Sequence, residues 1–330
     1  MERDDANACR FVAGDPRGHY ESWFQRANHP TRALAFWIRY TVFAPRGRPQ
    51  DAVGERWAIW FDGEAGRIVA TKRVVPIADC AFSSRGLEVR IGHAALAEGR
   101  LEGDAQSAAH RIDWRLAWRG EAPPLLLLPP AWYAARLPKA KALVGAPLAT
   151  YDGEIVVDGQ TQRIDGWIGS QNHNWGRQHT DAYAWGQVAG FDDAADAFLE
   201  CSTARLRFGP LWTPPLSLAV LRLGRREWRF TGARRALTAR GQYDFKQWTL
   251  ATTDGATRLS VRFDVPPDGF VGLRYDNPPG GAKTCLNSKL AACTVRLDEP
   301  GRAPLHLRSA HRAAFEILTD RSDHGVAVVA

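Results

Sequence analysis

The chain has 330 residues, 45% of them apolar and 24% charged, which suits one large or two ordinary globular domains and excludes a disordered polymer. Its net charge of +7 comes from 43 basic and 36 acidic residues scattered along the chain, and with no basic run or dedicated motif nucleic acid is not an expected partner. Five cysteines without framework spacing, and a start "MERDDANACRFVAG" that lacks the basic and apolar regions of a signal peptide, lead to the expectation of a reduced, cytoplasmic protein.

The first distinctive stretch is "GHYESWF" (18–24). In a strand, alternation puts His19, Glu21 and Trp23 on one side and Tyr20, Ser22 and Phe24 on the other. An acid, an imidazole and an indole on one side are costly in a plain core and cheap beside a cavity. Strand patterns follow at "LAFWIRYTVFAP" (34–45), "RWAIWFDG" (56–63), "RIDWRLAWRG" (111–120) and "GEIVVDGQTQRIDGWIG" (153–169), rich in β-branched and aromatic residues and bounded by Gly, Pro or Asp. In the first of these Trp37, Arg39 and Thr41 share a face. Arg39 is read as an exposed outer residue, with a carboxylate-binding role as the alternative. Between them, "PPLLLLPPAWY" (123–133) is too short to cross a membrane. It is read as a buried loop, although Trp132, Tyr133, Arg136, Lys139 and Lys141 would also suit a transient contact with a membrane surface.

The stretch "GSQNHNWGRQHTDAYAWGQVAGFDD" (169–193) is polar and aromatic with hardly an aliphatic residue. His173 and Trp175 would share a face, with Asn172 and Asn174 opposite, and "GRQHTD" would join two strands. Beyond it Tyr183, Trp185, Gln187 and Phe191 form a bulky face, suited to walling a space. Ala184, Gly186, Val188 and Gly190 form a bare one that another layer can approach closely. Strand 18–24 is expected beside 172–176, so that Glu21 and His173 exchange a hydrogen bond in an aromatic pocket. A tight barrel corner whose polar atoms satisfy the backbone would also account for these residues. A metal site on His173, His179 and Asp181 is a weaker alternative, since the six-residue His spacing matches no compact ligand signature.

Further strands are expected at 197–209, 216–232, 258–265, 269–275 and 293–297, separated by hairpin signals. Faint helical periodicity appears only near 132–145 and 286–292. The glycine-rich "NPPGGAKTCLNSK" (277–289) lacks the spacing of a phosphate loop and reads as a turn, with Asn277 and Asn287 bonding within it. Cys285 and Cys293 could pair only across adjacent strands. The three prolines of "FGPLWTPPLS" (208–217) mark the candidate domain junction, dividing the chain into 1–208 and 209–330. The reading is all-β, two successive antiparallel barrels sharing an interface.

At this point a resemblance is visible. "GHYESWF", then "DGWIGSQNHNWG" and the strand "YAWGQ", resemble the lipocalin-like superfamily that includes carotenoid 1,2-hydratase (hydroxyneurosporene synthase), AttH-like proteins, tocopherol cyclase and fungal decalin-forming Diels–Alderases. The resemblance covers most of the chain and implies two consecutive lipocalin-like barrels with an apolar cavity near their junction. The hydratases' His-x-Trp pair matches His173 and Trp175. Their downstream Tyr-x-Asp pair has as its nearest equivalent Phe198-x-Glu200, which lacks the phenol and changes the acid.

Such chemistry calls for a carboxylic acid kept neutral by apolar burial, a role open to Glu21 or Glu200 with His173 beside them. It also calls for aromatic faces over a developing cation, available from Trp23, Trp175, Tyr183 and Trp185. With His19, Asn174, Gln187 and Phe191 these complete the expected substrate-binding set. The expected ligand is an apolar isoprenoid- or polyketide-like small molecule, hydrated or cyclised with acid assistance and without a cofactor or metal; no obligate protein partner is expected. A non-catalytic lipid carrier or chaperone is the rival reading.

Overall fold

The computed structural model describes residues 2–330. β-Branched and aromatic alternation extends through most of the chain and produces twenty-four strands. The first twelve are β1 (His19–Asn28), β2 (Leu34–Ala44), β3 (Val53–Asp62), β4 (Arg67–Pro76), β5 (Cys80–Phe82), β6 (Glu88–Ile91), β7 (Ala94–Ala97), β8 (Arg100–Gln106), β9 (Arg111–Arg119), β10 (Leu125–Leu126), β11 (Ala140–Val157) and β12 (Gln160–Gly176). They form one antiparallel sheet in the order β4-β3-β2-β1-β12-β11-β9-β8-β7-β6-β5, with β10 on β11. Contacts of β3 and β4 with β6 and β8 bring the sheet close to closure as a barrel.

The other twelve are β13 (Ala182–Ala189), β14 (Ala197–Arg205), β15 (Arg207–Phe208), β16 (Leu211–Trp212), β17 (Leu216–Leu223), β18 (Arg226–Phe230), β19 (Arg240–Tyr243), β20 (Gln247–Asp254), β21 (Thr257–Asp264), β22 (Val271–Asp276), β23 (Ala282–Asp298) and β24 (Leu305–Thr319). Nine of them run β18-β17-β14-β13-β24-β23-β21-β20-β19, β22 pairs with β23, and β15-β16 is a separate hairpin. Three α-helices of five or six residues, α1 (Arg3–Asn7), α2 (Pro130–Ala134) and α3 (Ala233–Thr238), and two 3-10 turns at Pro49–Asp51 and Ile77–Asp79 complete the described elements. No helix among the described residues is long and apolar enough to cross a membrane.

Each sheet curls around its own core. The first encloses Trp23, Phe36, Tyr40, Trp114 and Trp167 among others. The second encloses Trp248, Phe263 and Phe315, with Trp248 stacked on both phenylalanines. A third apolar cluster lies between the barrels and joins Phe24, Trp37 and Trp57 of the first to Val271, Leu273 and Tyr275 of the second. Fully burying a phenylalanine-sized side chain contributes about 1.5–3 kcal/mol, so this shared layer makes the barrels interdependent.

Three sequence expectations change. The sheets divide between Gly176 and Ala182, so residues 182–205 belong to the second barrel rather than to a first domain ending at 208. The prolines of 208–217 lie in and just after an exposed hairpin, β15-β16, in the connection between β14 and β17, which pair directly. The helical hints resolve into strand: only 130–134 is helical in the first, and 286–292 lies inside β23. There the Ser288/Ala291 register shift disturbs simple alternation. Cys285 and Cys293 lie on this same strand, which rules out pairing across neighbouring strands, and both thiols are free.

Candidate functional site

The site grows from the pairing of β1 with β12, in register Glu21↔Trp175, Ser22↔Asn174 and Trp23↔His173. Period-two alternation then sorts these residues onto two faces. Glu21, Trp23, His173 and Trp175 share one face, directed into the first barrel. Tyr20, Ser22, Phe24, Asn172 and Asn174 share the other, which meets the second barrel.

On the inner face the Glu21 carboxylate is fully buried. Its Oε1 lies 2.8 Å from His173 Nε2 and its Oε2 lies 2.9 Å from His19 Nε2. The backbone N–H of Arg10 donates to both oxygens at 3.0 and 2.8 Å, and the Arg10 guanidinium stands 3.8 Å away. Burial pushes this carboxyl up, but the hydrogen bonds from His173 and His19 outweigh it and hold the pKa at about 2. Burial also lowers the proton affinity of His173, against the pull of Glu21. His173 Nδ1 is 2.7 Å from the Ala6 carbonyl, so beside an ionised Glu21 both ring nitrogens face acceptors. Trp23 donates its indole N–H to the Asn7 carbonyl at 2.9 Å and stacks on His173 at 4.8 Å. Trp175 carries the Arg10 guanidinium 3.8 Å above its ring. This cluster clasps the N-terminal segment over the end of the first barrel.

On the outer face lies a cavity of about 420 Å³ between the barrels. Its inner end is built from Tyr20, Phe24 and Arg39 of the first barrel and Tyr183, Trp185, Glu200, Tyr275 and Glu316 of the second, with Asn172 and Asn174 between them. Towards the mouth the walls become aliphatic, with Leu127, Leu128, Leu143, Leu216, Leu218 and Leu237. The leucine loop is therefore largely buried, with Leu125 and Leu127 in a cluster against β11 and β14.

Glu200 is the acid of this cavity. Trp185 donates its indole N–H to Oε1 at 2.7 Å and Gln187 donates its amide to Oε2 at 2.9 Å. Burial raises the carboxyl to about 7, although both hydrogen bonds oppose the shift. Gln187 is fixed in turn: its oxygen accepts from Arg26 Nε at 2.7 Å and Ser170 Oγ at 2.6 Å, so its amide nitrogen must face Asn172 and Glu200. Glu316, the other carboxylate at the wall, is neutralised by the buried Lys289 at 2.7 Å. His179 packs against Tyr20 with ring centroids 4.0 Å apart and the planes tilted by 34°, and burial and then the Arg39 charge lower its pKa to about 3. Its Nε2 lies 3.1 Å from the Asp276 carbonyl and therefore donates.

The structure thus brings together Asn174, Tyr183, Trp185 and Glu200 at the cavity, with Gln187 behind Glu200. It places Glu21, His19, Trp23 and Trp175 in the clasp. His173 touches the cavity wall, but its ring nitrogens are turned to Ala6 and Glu21. The expectation that Glu21 is held neutral fails, because two imidazoles, the Arg10 N–H and the Cys9 thiol converge on its ionised form. Phe191 also leaves the set: β13 ends at Ala189, Gly190 turns with φ +72°, and Phe191 enters the second core. The metal alternative loses its geometry, since His173 spends both nitrogens in the clasp and Asp181 accepts the Arg207 backbone N–H. Only the backbone of Asn277 bonds within the turn, to Gly280 and Gly281, while its side chain accepts the distant His179 N–H; Asn287 lies in β23 and donates to Glu316. Arg26 and Ser170 escaped notice because a buried polar network has no linear signature. Tyr20 and Phe24 were visible as the opposite face of "GHYESWF".

This architecture is that of the lipocalin-like, AttH-type two-barrel proteins. No protein-family model matches the chain. It is similar to an AttH-type protein of Nitrosomonas europaea (TM-score 0.57, 14% identity, 95% of this chain and 97% of that one). It is also similar to CghA, whose structure is with Sch210972 (TM-score 0.58, 12% identity, 96% and 95%), and to kievitone hydratase of Nectria haematococca (TM-score 0.53, 12% identity, 97% and 98%). In sequence it is 27% identical over 282 residues to the uncharacterized Mycobacterium tuberculosis proteins MT0513 and Rv0493c, covering 85% of this chain and 82% of theirs.

Proposed function

We propose that the protein binds an apolar, isoprenoid- or polyketide-like small molecule between its barrels and catalyses its acid-assisted hydration or cyclisation. The observation that carries this reading is a buried carboxyl, Glu200, raised to about 7 at the wall of a largely apolar cavity. The acid donates its proton to one end of a double bond. The resulting cation is stabilised by the faces of Trp185, Tyr183 and Phe24. Water then adds, or a second double bond of the same chain attacks, and the proton lost from the adduct returns to the Glu200 carboxylate. The cavity shape limits which folded conformers of the substrate reach the acid. The likeness to kievitone hydratase supports the hydration arm by fold alone.

The test begins with protein purified from its native cells, extracted with organic solvent and analysed by mass spectrometry to name the ligand. With that compound, Glu200→Gln should retain binding and lose at least 100-fold in turnover, the order of effect of a general acid. Undiminished activity in this variant removes the acid mechanism, and tight binding without any turnover by the wild type makes the protein a carrier.

Loading from a lipid surface belongs to the same reading. Exposed Leu237 lines the cavity, and exposed Leu137, Phe208 and Leu211 lie within two residues in sequence of the lining residues Pro138, Leu206 and Thr213, with Arg136, Lys139, Arg205, Arg207 and Arg234 nearby in the chain. An apolar rim with cationic neighbours fits an anionic bilayer. Wild type should co-float with phosphatidylglycerol vesicles and Leu211→Glu/Leu237→Glu should not; equal flotation of the two removes this contact.

A further inference from the structure

Arg39 was expected on an exposed outer face, yet only 4% of it is accessible. It sits at the inner end of the cavity. Of its five N–H donors, one makes a hydrogen bond, from Nη2 to Ser22 Oγ at 2.7 Å, and Nε is buried without an acceptor. Its guanidinium lies 4.5 Å from the Tyr275 ring centroid and 5.9 Å from that of Trp37. Among the described residues no carboxylate pairs with it: Glu316 is held by Lys289 at 2.7 Å and Glu55 by Lys72 at 2.8 Å. The contrast with Arg26 is instructive. That side chain is equally buried but donates to Gln187, Asn28 and the Arg312 carbonyl, so protein atoms satisfy it.

A buried guanidinium without a counter-charge costs several kcal/mol in a low-dielectric site. Such a group is retained where something else brings the charge. The planar fork of Arg39 matches a carboxylate held in two parallel hydrogen bonds. The wall adjoining Arg39 carries Phe24 and then Trp185, packed edge to face with centroids 6.0 Å apart, before reaching Glu200.

We propose that the ligand is an apolar acid whose carboxylate binds Arg39, with its hydrocarbon chain lying past Phe24 and Trp185 towards the leucine-lined mouth. This rests on the cavity reading above and adds the head group. Arg39 thereby sets the register of the chain, and so decides which double bond lies against Glu200.

The experiment compares dodecanoate with methyl dodecanoate, two probes of matched chain and different charge, by calorimetric titration of the full chain at pH 7.5. Wild type is expected to bind the acid at least tenfold more tightly. Arg39→Met should abolish that preference while leaving the ester's affinity within twofold, and Arg39→Lys should restore part of it. Equal wild-type affinity for both probes overturns the head-group assignment and leaves the apolar cavity standing. Failure of both probes to bind overturns the ligand-binding reading and this inference with it. The wild-type comparison is decisive even if the variants do not fold.

Discussion

Glu21 and Glu200 are both buried glutamates, and the difference between them is a matter of which atoms face them. Glu21 receives hydrogen bonds from two imidazoles and a backbone N–H, and stays ionised. Glu200 receives one indole and one amide, and burial prevails. Opposite pH dependences follow. The Glu21 pKa is depressed on folding, so its stabilisation is present above its ordinary 4.5 and is lost as pH falls towards about 2. The Glu200 pKa is raised, so its contribution is greatest below 4.5 and fades as pH rises through about 7. Glu200→Gln is therefore expected to flatten the decline of unfolding free energy between pH 4.5 and 7, read by urea titration at successive pH values. Activity that depends on the protonated acid should fall between about pH 6 and 8 in the wild type, with a midpoint near 7. Glu21→Gln takes a charged acceptor away from His173, His19 and the Arg10 N–H and should lose about 1–3 kcal/mol of stability. In the folded fraction, ligand affinity should stay within twofold of wild type, because Glu21 itself does not line the cavity; a selective loss of affinity would place Glu21 in the binding site after all.

The strands carried their own instructions through period two. In β13 the bulky face, Tyr183, Trp185 and Gln187, meets the cavity and its supporting network, and the bare face meets the second core. Gly186 shows why that face is bare. A Cβ there would collide with the Phe263 ring and lie 2.8 Å from Trp248 Cζ3. Gly186→Val should cost about 1–3 kcal/mol, seen as a lower urea midpoint at unchanged m-value. A change in m would instead report a rearranged barrel. Alternation could show that "GHYESWF" and "NHNWG" each have two unlike faces, but not which one meets the cavity. The aromatic and ionisable face attracted attention as the richer chemistry. It turned out to be the interior of the first barrel, where helix α1 and the Arg10 segment satisfy its polar atoms.

At the scale of the molecule, the layer between the barrels joins residues more than 200 positions apart, such as Trp57 and Tyr275 with ring centroids 5.8 Å apart. Arg26 bonds across the same junction to Gln187 and the Arg312 carbonyl. Neither barrel can bury this surface alone, so thermal unfolding is expected as one transition with calorimetric and van't Hoff enthalpies in agreement; two resolved transitions would show independent barrels. Alternation, turn residues and the absence of helical periodicity were sufficient to make the chain all-β, because those signals act between neighbours in sequence. The same local rules paired β1 with β12 and named Trp185 and Tyr183, whereas Glu200 came from the resemblance to the hydratases' Tyr-x-Asp pair. The position of the barrel boundary, the ionisation of Glu21, the burial of Arg39 and the face that lines the cavity were decided only by tertiary structure. Each depends on which distant atoms surround a group, and neither desolvation nor a hydrogen bond across 150 residues leaves a periodic trace in the chain that makes it.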